Sequence, residues 1–192
     1  VSARPHLSAI MDRMDGATAI AVPLMHCYSG VKFNPFEPRA EDIRIEDIAH
    51  HLSNVCRYGG ACKEFYSVAQ HSFICSMVAP APLKGRLLLH DSSEGYIGDI
   101  ISPFKTTEYY EMYRDVEANL MAAIYQKYGL EIEDPPEVHE IDLLVRHTEM
   151  RDFGSVSKEV WENEEMLPFT INPVSPKKAE ILFLTQFAKL FG

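Results

Sequence analysis

The sequence predicts an all-α fold, a helical bundle with a partly irregular N-terminal region, on three observations. From Ile45 onward apolar residues recur at helical rather than alternating spacing. The helical stretches are bounded by start signals at Ser67, Asp134-Pro135-Pro136 and Ser175-Pro176, and by stop signals at Gly59-Gly60, Pro80 and Gly129. Neither an internal repeat nor a low-complexity segment interrupts the pattern. The 192 residues suit one domain, 1–192, long enough to bury a core without disulfide staples.

Residues 1–40 read as irregular, broken by Pro23, Pro35 and Pro38, with one short strand candidate from Ala17 to Met25. Ile45, Ile48, Ala49, Leu52 and Val55-Cys56 then mark a first helix. Ser67-x-x-Gln70 has the form of a capping box and opens a helix carrying His71, Ile74, Cys75 and Val78. Pro82 fits the first position of the next helix, which runs through Leu87-Leu88-Leu89 to about Glu94. Gly95, Gly98 and Pro103 impose a loop. A long helix follows from about Thr107 to Tyr128, with Gly129 as its stop. Asp134-Pro-Pro-Glu137 opens a helix carrying Val138, Ile141, Asp142, Val145 and Glu149 and ending near Gly154. Residues 155–174 read as a surface connection. A last amphipathic helix from Ser175-Pro176 places Ile181, Leu184, Phe187 and Ala188 on one side.

Charge and cysteine content narrow the function. Eighteen Lys and Arg against 28 Asp and Glu give a net charge of −10. That balance argues against a nucleic-acid polymer as partner and against anionic membranes, both of which need a basic face. Phe65 to Leu83 carries no Lys, Arg, Asp or Glu, but its prolines, serines, Gln70 and His71 exclude a membrane span. The four cysteines form no C-x-x-C pair, so a four-cysteine zinc site lacks the close ligand pairs it would use. No secretory signal is visible at Val1, and a reduced, cytoplasmic setting is expected.

Three points on this scaffold carry chemistry: His71, the pair His90-Asp91 at the end of an unusually apolar helix, and Asp142 beside Ile141 and Val145. Singly each has a plain explanation, as a satisfied core histidine, a helix-ending pair and a solvated carboxylate. Together, imidazole nitrogens and carboxylate oxygens are the donor set of borderline divalent ions, and four such donors leave room for water on an octahedral ion. Such a water becomes a nucleophile near neutral pH. Glu94 lies three residues after Asp91 and four after His90, so it shares their face if the helix continues. There it could exchange a proton with a metal-bound water or a leaving oxygen, or be an ordinary helix-end acid. Asp99, after Gly95 and Gly98, is a second acid–base candidate.

The order His71, His90-Asp91, Asp142 resembles the H…HD…D signature of the HD-domain metal-dependent phosphohydrolases. The run HDSSEGYIGDIISPFK, from His90 to Lys105, resembles the H-D-x-S-E…G-D…P-x-K stretch of the HD-domain 5′-deoxynucleotidase branch. SVAQHS, residues 67–72, resembles that branch's approach to its first histidine. The similarity covers about residues 50–152. Alarmone hydrolases fit less well, because Gly95 stands where they carry an acid after the Glu. The cyclic-dinucleotide phosphodiesterases fit less well too, since Gly95-Tyr96-Ile97 lacks their proline and the extra histidines are missing.

The resemblance implies an HD-type bundle holding one divalent ion, with His71, His90, Asp91 and Asp142 as metal ligands and Glu94 and Asp99 as catalytic acids. Among manganese, cobalt, zinc, nickel, iron and magnesium it does not choose. It places Arg57 and an aromatic, here Tyr58 where the branch commonly has Trp, at the substrate phosphate and sugar. Arginine suits a phosphate through its planar fork, although Arg57 is also well placed as a helix C-terminal cation. Lys105 is a further substrate-binding candidate, and His50 and His51 either line the same pocket or lie on the surface. The implied activity is hydrolysis of a small-molecule nucleotide, first a deoxynucleoside 5′-monophosphate, by a homodimer. The alternatives are a dATP-type triphosphohydrolase and a non-catalytic nucleotide sensor on the same scaffold.

Overall fold

The structure is a computed structural model and describes residues 24–154 and 156–192. Most of the strand expected from Ala17 to Met25 lies outside them. Within them Met25–His26 (β1) pairs antiparallel with Lys32–Phe33 (β2), Met25 opposite Phe33. Everything else that is regular is helical: α1 (Ile45–Asn54), α2 (Val68–Val78), α3 (Lys84–Leu89), α4 (Glu94–Ile97), α5 (Ser102–Lys105), α6 (Glu111–Lys127), α7 (Pro136–Asp152) and α8 (Pro176–Phe191). The all-α expectation therefore holds. No helix among the described residues is long and apolar enough to cross a membrane.

Burial follows the helical spacing. In α1, Ile48, Ala49 and Leu52 are buried, and Asp47 beside them accepts hydrogen bonds from the Ser29 backbone N–H and hydroxyl. The apolar run of α3 is divided between two cores. Leu88 and Leu89 pack with Phe33, Ile48, Leu52, Leu120, Ile124 and Phe183, whereas Leu87 packs with Tyr66, Cys75, Val138, Val145 and Phe153. A helix buried on several sides has no need of a polar face. The chain leaves α3 between those two cores, and His90-Asp91 is the first polar pair it presents there.

Four details depart from the sequence reading. The Ser67 cap forms, its hydroxyl accepting from the Gln70 N–H at 3.2 Å, but the box is not reciprocal. The Gln70 amide instead donates to the Asn172 carbonyl at 2.8 Å and accepts from the Val174 N–H at 2.9 Å, because a crossing segment there needs partners for its backbone groups. The helix through Leu87–Leu89 does not run on to Glu94. His90–Ser93 forms a turn with tighter hydrogen bonds, Ser92 N–H to Leu89 O and Glu94 N–H to Asp91 O, and Pro82 lies in the 3₁₀ turn Ala81–Leu83 ahead of α3. Residues 156–174 are more than a surface connection: Leu167 and Ile171 are buried, their N–H groups held by Thr148 and Asp152. Finally, α8 buries Ala179, Phe183 and Gln186, while Ile181 is 55% exposed and Ala188 lies outside. Gln186 donates to the Ser76 hydroxyl at 3.1 Å, and this buried bond helps select that face. Leu184 and Phe187 only flank the core.

Gly129 ends α6 in the left-handed conformation (φ 70°), as a helix stop there requires. All four cysteines are free, Cys27 and Cys75 buried.

Candidate metal centre

Helix α2 carries His71, the turn after α3 carries His90 and Asp91, and α7 carries Asp142. The fold brings all four together. His71 Nε2 lies 3.1 Å from Asp142 Oδ1 and 3.7 Å from Asp91 Oδ2, and His90 Nε2 lies 3.3 Å from Asp91 Oδ2. Both imidazoles are oriented from behind: His71 Nδ1 is 2.7 Å from Glu149 Oε1, and His90 Nδ1 is 2.8 Å from the Leu87 carbonyl oxygen. Fixing Nδ1 in this way is how metal-binding histidines are held with Nε2 forward. His90 Nε2 is buried and has no hydrogen-bond partner, as expected of an atom built to bind something else.

Cys75, one turn after His71, is a residue the sequence reading did not place here. His71, Cys75, His90 and Asp142 each offer a ligand atom, and these atoms all lie within 4.8 Å of one another, so the group could hold a metal ion. The thiol is 3.5 Å from His71 Nε2 and 3.9 Å from Nδ1, which places it beside the ring rather than in front of Nε2.

The second residue the sequence reading missed is Glu149. It is fully buried and serves four groups. Oε1 receives His71 Nδ1 and the Tyr66 hydroxyl (2.8 Å), and Oε2 receives the Tyr58 hydroxyl (2.6 Å) with Arg57 Nε at 3.3 Å. A signal was present, since Glu149 follows Asp142 by two helical turns and shares its face. Burial raises the Glu149 pKa, but Arg57 and His71 outweigh it and bring the carboxyl down to about 2. Burial likewise opposes charge on His71, and Cys75, Glu149 and Asp142 hold it well above the usual histidine range. Asp142, despite burial, is held below the usual carboxylate range by its hydrogen bond to that imidazole.

The remaining candidates fall on the Asp91 side. Arg57 is nearly buried, with Nη1 3.4 Å from Asp91 Oδ2. Tyr58 occupies the left-handed region (φ 57°), the only described residue other than glycine to do so. Glu94 is buried, and Lys105 Nζ bridges it to Glu117 at 3.0 Å each. Lys105 is therefore directed to a carboxylate pair rather than left free for substrate. Asp99 lies close enough to Glu94 for the two to repel. His50 and His51 do not join this centre: Tyr28 stacks on His50 at 3.7 Å, His50 Nδ1 is 3.3 Å from Glu180, and His51 Nε2 accepts from the Tyr28 N–H.

Burial, then Asp91 and Asp99, push the Glu94 carboxyl well above its usual range, against the opposing pull of Lys105. The unfolded chain therefore ionises Glu94 first as pH rises, and its charge costs the folded state stability from pH ~4.5 upward. Glu94→Gln is expected to raise the melting temperature at pH 7, with the difference from wild type shrinking as pH falls toward 4. A melting temperature lowered at pH 7 would contradict this.

Fold and site together define a mostly helical protein with a partly buried His/Cys/His/Asp cluster that could hold a metal ion. No family model matches the chain. It is 36% identical over 167 residues to the uncharacterized protein YfdR of Escherichia coli, covering 85% of this chain and 93% of that protein, and it belongs to the YfdR family. It is also 36% identical over 111 residues to an uncharacterized protein of Rhodobacter capsulatus, covering 53% of this chain and 56% of that protein.

Proposed function

We propose that the chain is a divalent-metal-dependent phosphohydrolase of the HD type, acting on a nucleotide and first of all on a deoxynucleoside 5′-monophosphate. The observation that carries this reading is the meeting of His71, His90, Asp91 and Asp142 with both Nε2 atoms turned inward and both Nδ1 atoms tied from behind. Asp91 is a better fourth donor than Cys75, because its oxygen approaches both Nε2 atoms while the thiol lies beside one ring. When bound, a divalent ion in such a site polarises a phosphate oxygen and acidifies a water molecule.

The protein's own groups supply the rest. Arg57, held by Glu149 and Asp91, presents its remaining guanidinium donors to the phosphate and offsets charge that develops on it. Glu94, kept protonatable by burial, takes or returns the proton of the attacking water, and Lys105 with Glu117 fixes its position. Asp99, whose carboxyl is also raised by burial, is suited to protonate the leaving oxygen. Tyr58 gives its hydroxyl to Glu149, so what it offers a sugar is a ring face.

The test is a phosphate-release screen of the purified protein against nucleoside mono- and triphosphates with a panel of divalent ions, with elemental analysis of the same sample. Inorganic phosphate from a deoxynucleoside monophosphate is the expected product. Tripolyphosphate from dATP would redirect the reading to the triphosphohydrolase, and nucleotide binding without turnover under every ion would replace the enzyme with a sensor.

A further inference from the structure

Helix α7 carries more of the site than Asp142 and Glu149. Arg146 follows Asp142 by four residues and precedes Glu149 by three, so it lies on their face, about one turn from each. Asp142 and Glu149 both reach His71. Helical side chains lean toward the helix N-terminus, which tilts Arg146 toward Asp142.

Arg146 is half-buried, and its Nε is buried without a hydrogen-bond partner. Its guanidinium has no ion pair among the described residues, whereas Arg39, Arg57, Arg86 and Arg151 each have a carboxylate. The acids nearest on its own helix face are committed elsewhere, Asp142 to His71 and Glu149 to three hydrogen-bond partners and the charge of Arg57. A buried charged donor left without an acceptor is disfavoured unless a ligand completes it.

The surroundings give that ligand a place. Asp142, one turn before Arg146 on α7, helps His90 and His139 line an open cleft of about 260 Å³. Met150, one turn after Arg146, joins Tyr58 and Cys62 around a smaller, mainly apolar cleft. His139, Arg146 and Met150 follow one another at spacings of seven and four along the same flank of α7. Asp134, the other acid at the larger cleft, is held by Arg86 and Tyr125 and leaves Arg146 uncompensated.

We infer that Arg146 is a substrate-binding residue, holding an anionic oxygen of the nucleotide at the rim of the metal centre, across from Arg57. This rests on the phosphohydrolase reading above and adds a residue to which nothing in the HD resemblance corresponds. A planar guanidinium can grip a phosphate through two parallel N–H···O bonds, which a lysine cannot reproduce.

The experiment compares wild type with Arg146→Gln and Arg146→Lys for metal content, melting temperature, steady-state kinetics on the nucleotide found by the screen, and inhibition by inorganic phosphate. The expected result is KM and the phosphate inhibition constant raised about 10- to 100-fold in the Gln variant, the size of loss typical of a charged hydrogen bond. The Lys variant should recover only part of it, with metal content unchanged in both. A KM and a phosphate inhibition constant within twofold of wild type in folded, metal-loaded Arg146→Gln would overturn the assignment. Should the Gln variant fail to fold, the Lys variant decides by the same two constants. Wild type that neither turns over nor binds any nucleotide would instead count against the phosphohydrolase reading, so the two failures are distinguishable.

Discussion

Asp91→Ala and Asp142→Ala are each expected to strip the protein of its divalent ion and reduce phosphate release to the level of a chelator-treated control. The reason is geometric. His71 Nε2 lies within 3.7 Å of both carboxylates, and His90 Nε2 within 3.3 Å of Asp91, so either substitution removes a charged donor from a set of four. Neither imidazole can move to compensate, because Glu149 and the Leu87 carbonyl hold their Nδ1 atoms. The measurement is metal content by elemental analysis beside turnover with added ion. Cys75→Ala is the control: lying beside the His71 ring, the thiol should be dispensable for metal content. A Cys75→Ala protein that loses its metal while Asp91→Ala keeps it would exchange the two residues' roles.

Glu149→Ala is expected to destabilise the fold by ~3–5 kcal/mol, the usual cost of leaving a buried charge without its partner. Here the stranded groups are the Arg57 guanidinium and the hydroxyls of Tyr58 and Tyr66. For a chain of this length that corresponds to a melting temperature lower by on the order of 10 °C. The loss should depend on pH with a definite sign. The Glu149 carboxyl is lowered from 4.5 to about 2 in the folded state, so its contribution is fully present above pH 4.5 and is lost as pH falls toward 2. Wild type and Glu149→Ala should therefore converge in denaturant midpoint as the solution is acidified. A gap that stays constant between pH 6 and pH 3 would show that the carboxylate's charge is not what stabilises this core.

What could be read from the sequence was local. The Ser67 and Ser175 caps, the Gly129 stop and the proline-led start of α7 are decided by residues a few positions apart, and the structure keeps them. The HD spacing was legible in the same way, as short-range identity at four positions on three segments. What could not be read depends on partners far along the chain. Gln70 looked like half of a capping box because its competitors, Asn172 and Val174, are about a hundred residues away. Glu149 looked like one more helical acid because His71, Tyr66, Tyr58 and Arg57 lie at least 78 residues from it. Lys105 reads as a substrate-binding candidate because Glu117, which shares it with Glu94, sits on a separate helix. The break after Leu89 was hidden since nothing in HDSSEG forbids a helix, and the residues around it still favour helical backbone angles.

The backbone at Tyr58 has a consequence of its own. A side-chain-bearing residue held at φ 57° is a loaded spring, storing on the order of 1–3 kcal/mol that the rest of the protein must restrain. Gly59 and Gly60 adopt positive φ without that penalty, so the tension is concentrated at the tyrosine. The catch is its hydroxyl bond to Glu149, the same carboxylate that steadies His71. Backbone bonds from Arg57 N–H to Tyr66 and from Ala61 N–H to Tyr58 share the restraint, so loss of the hydroxyl bond removes one of several holds on the turn. One buried acid thus helps keep cocked the loop that carries the guanidinium.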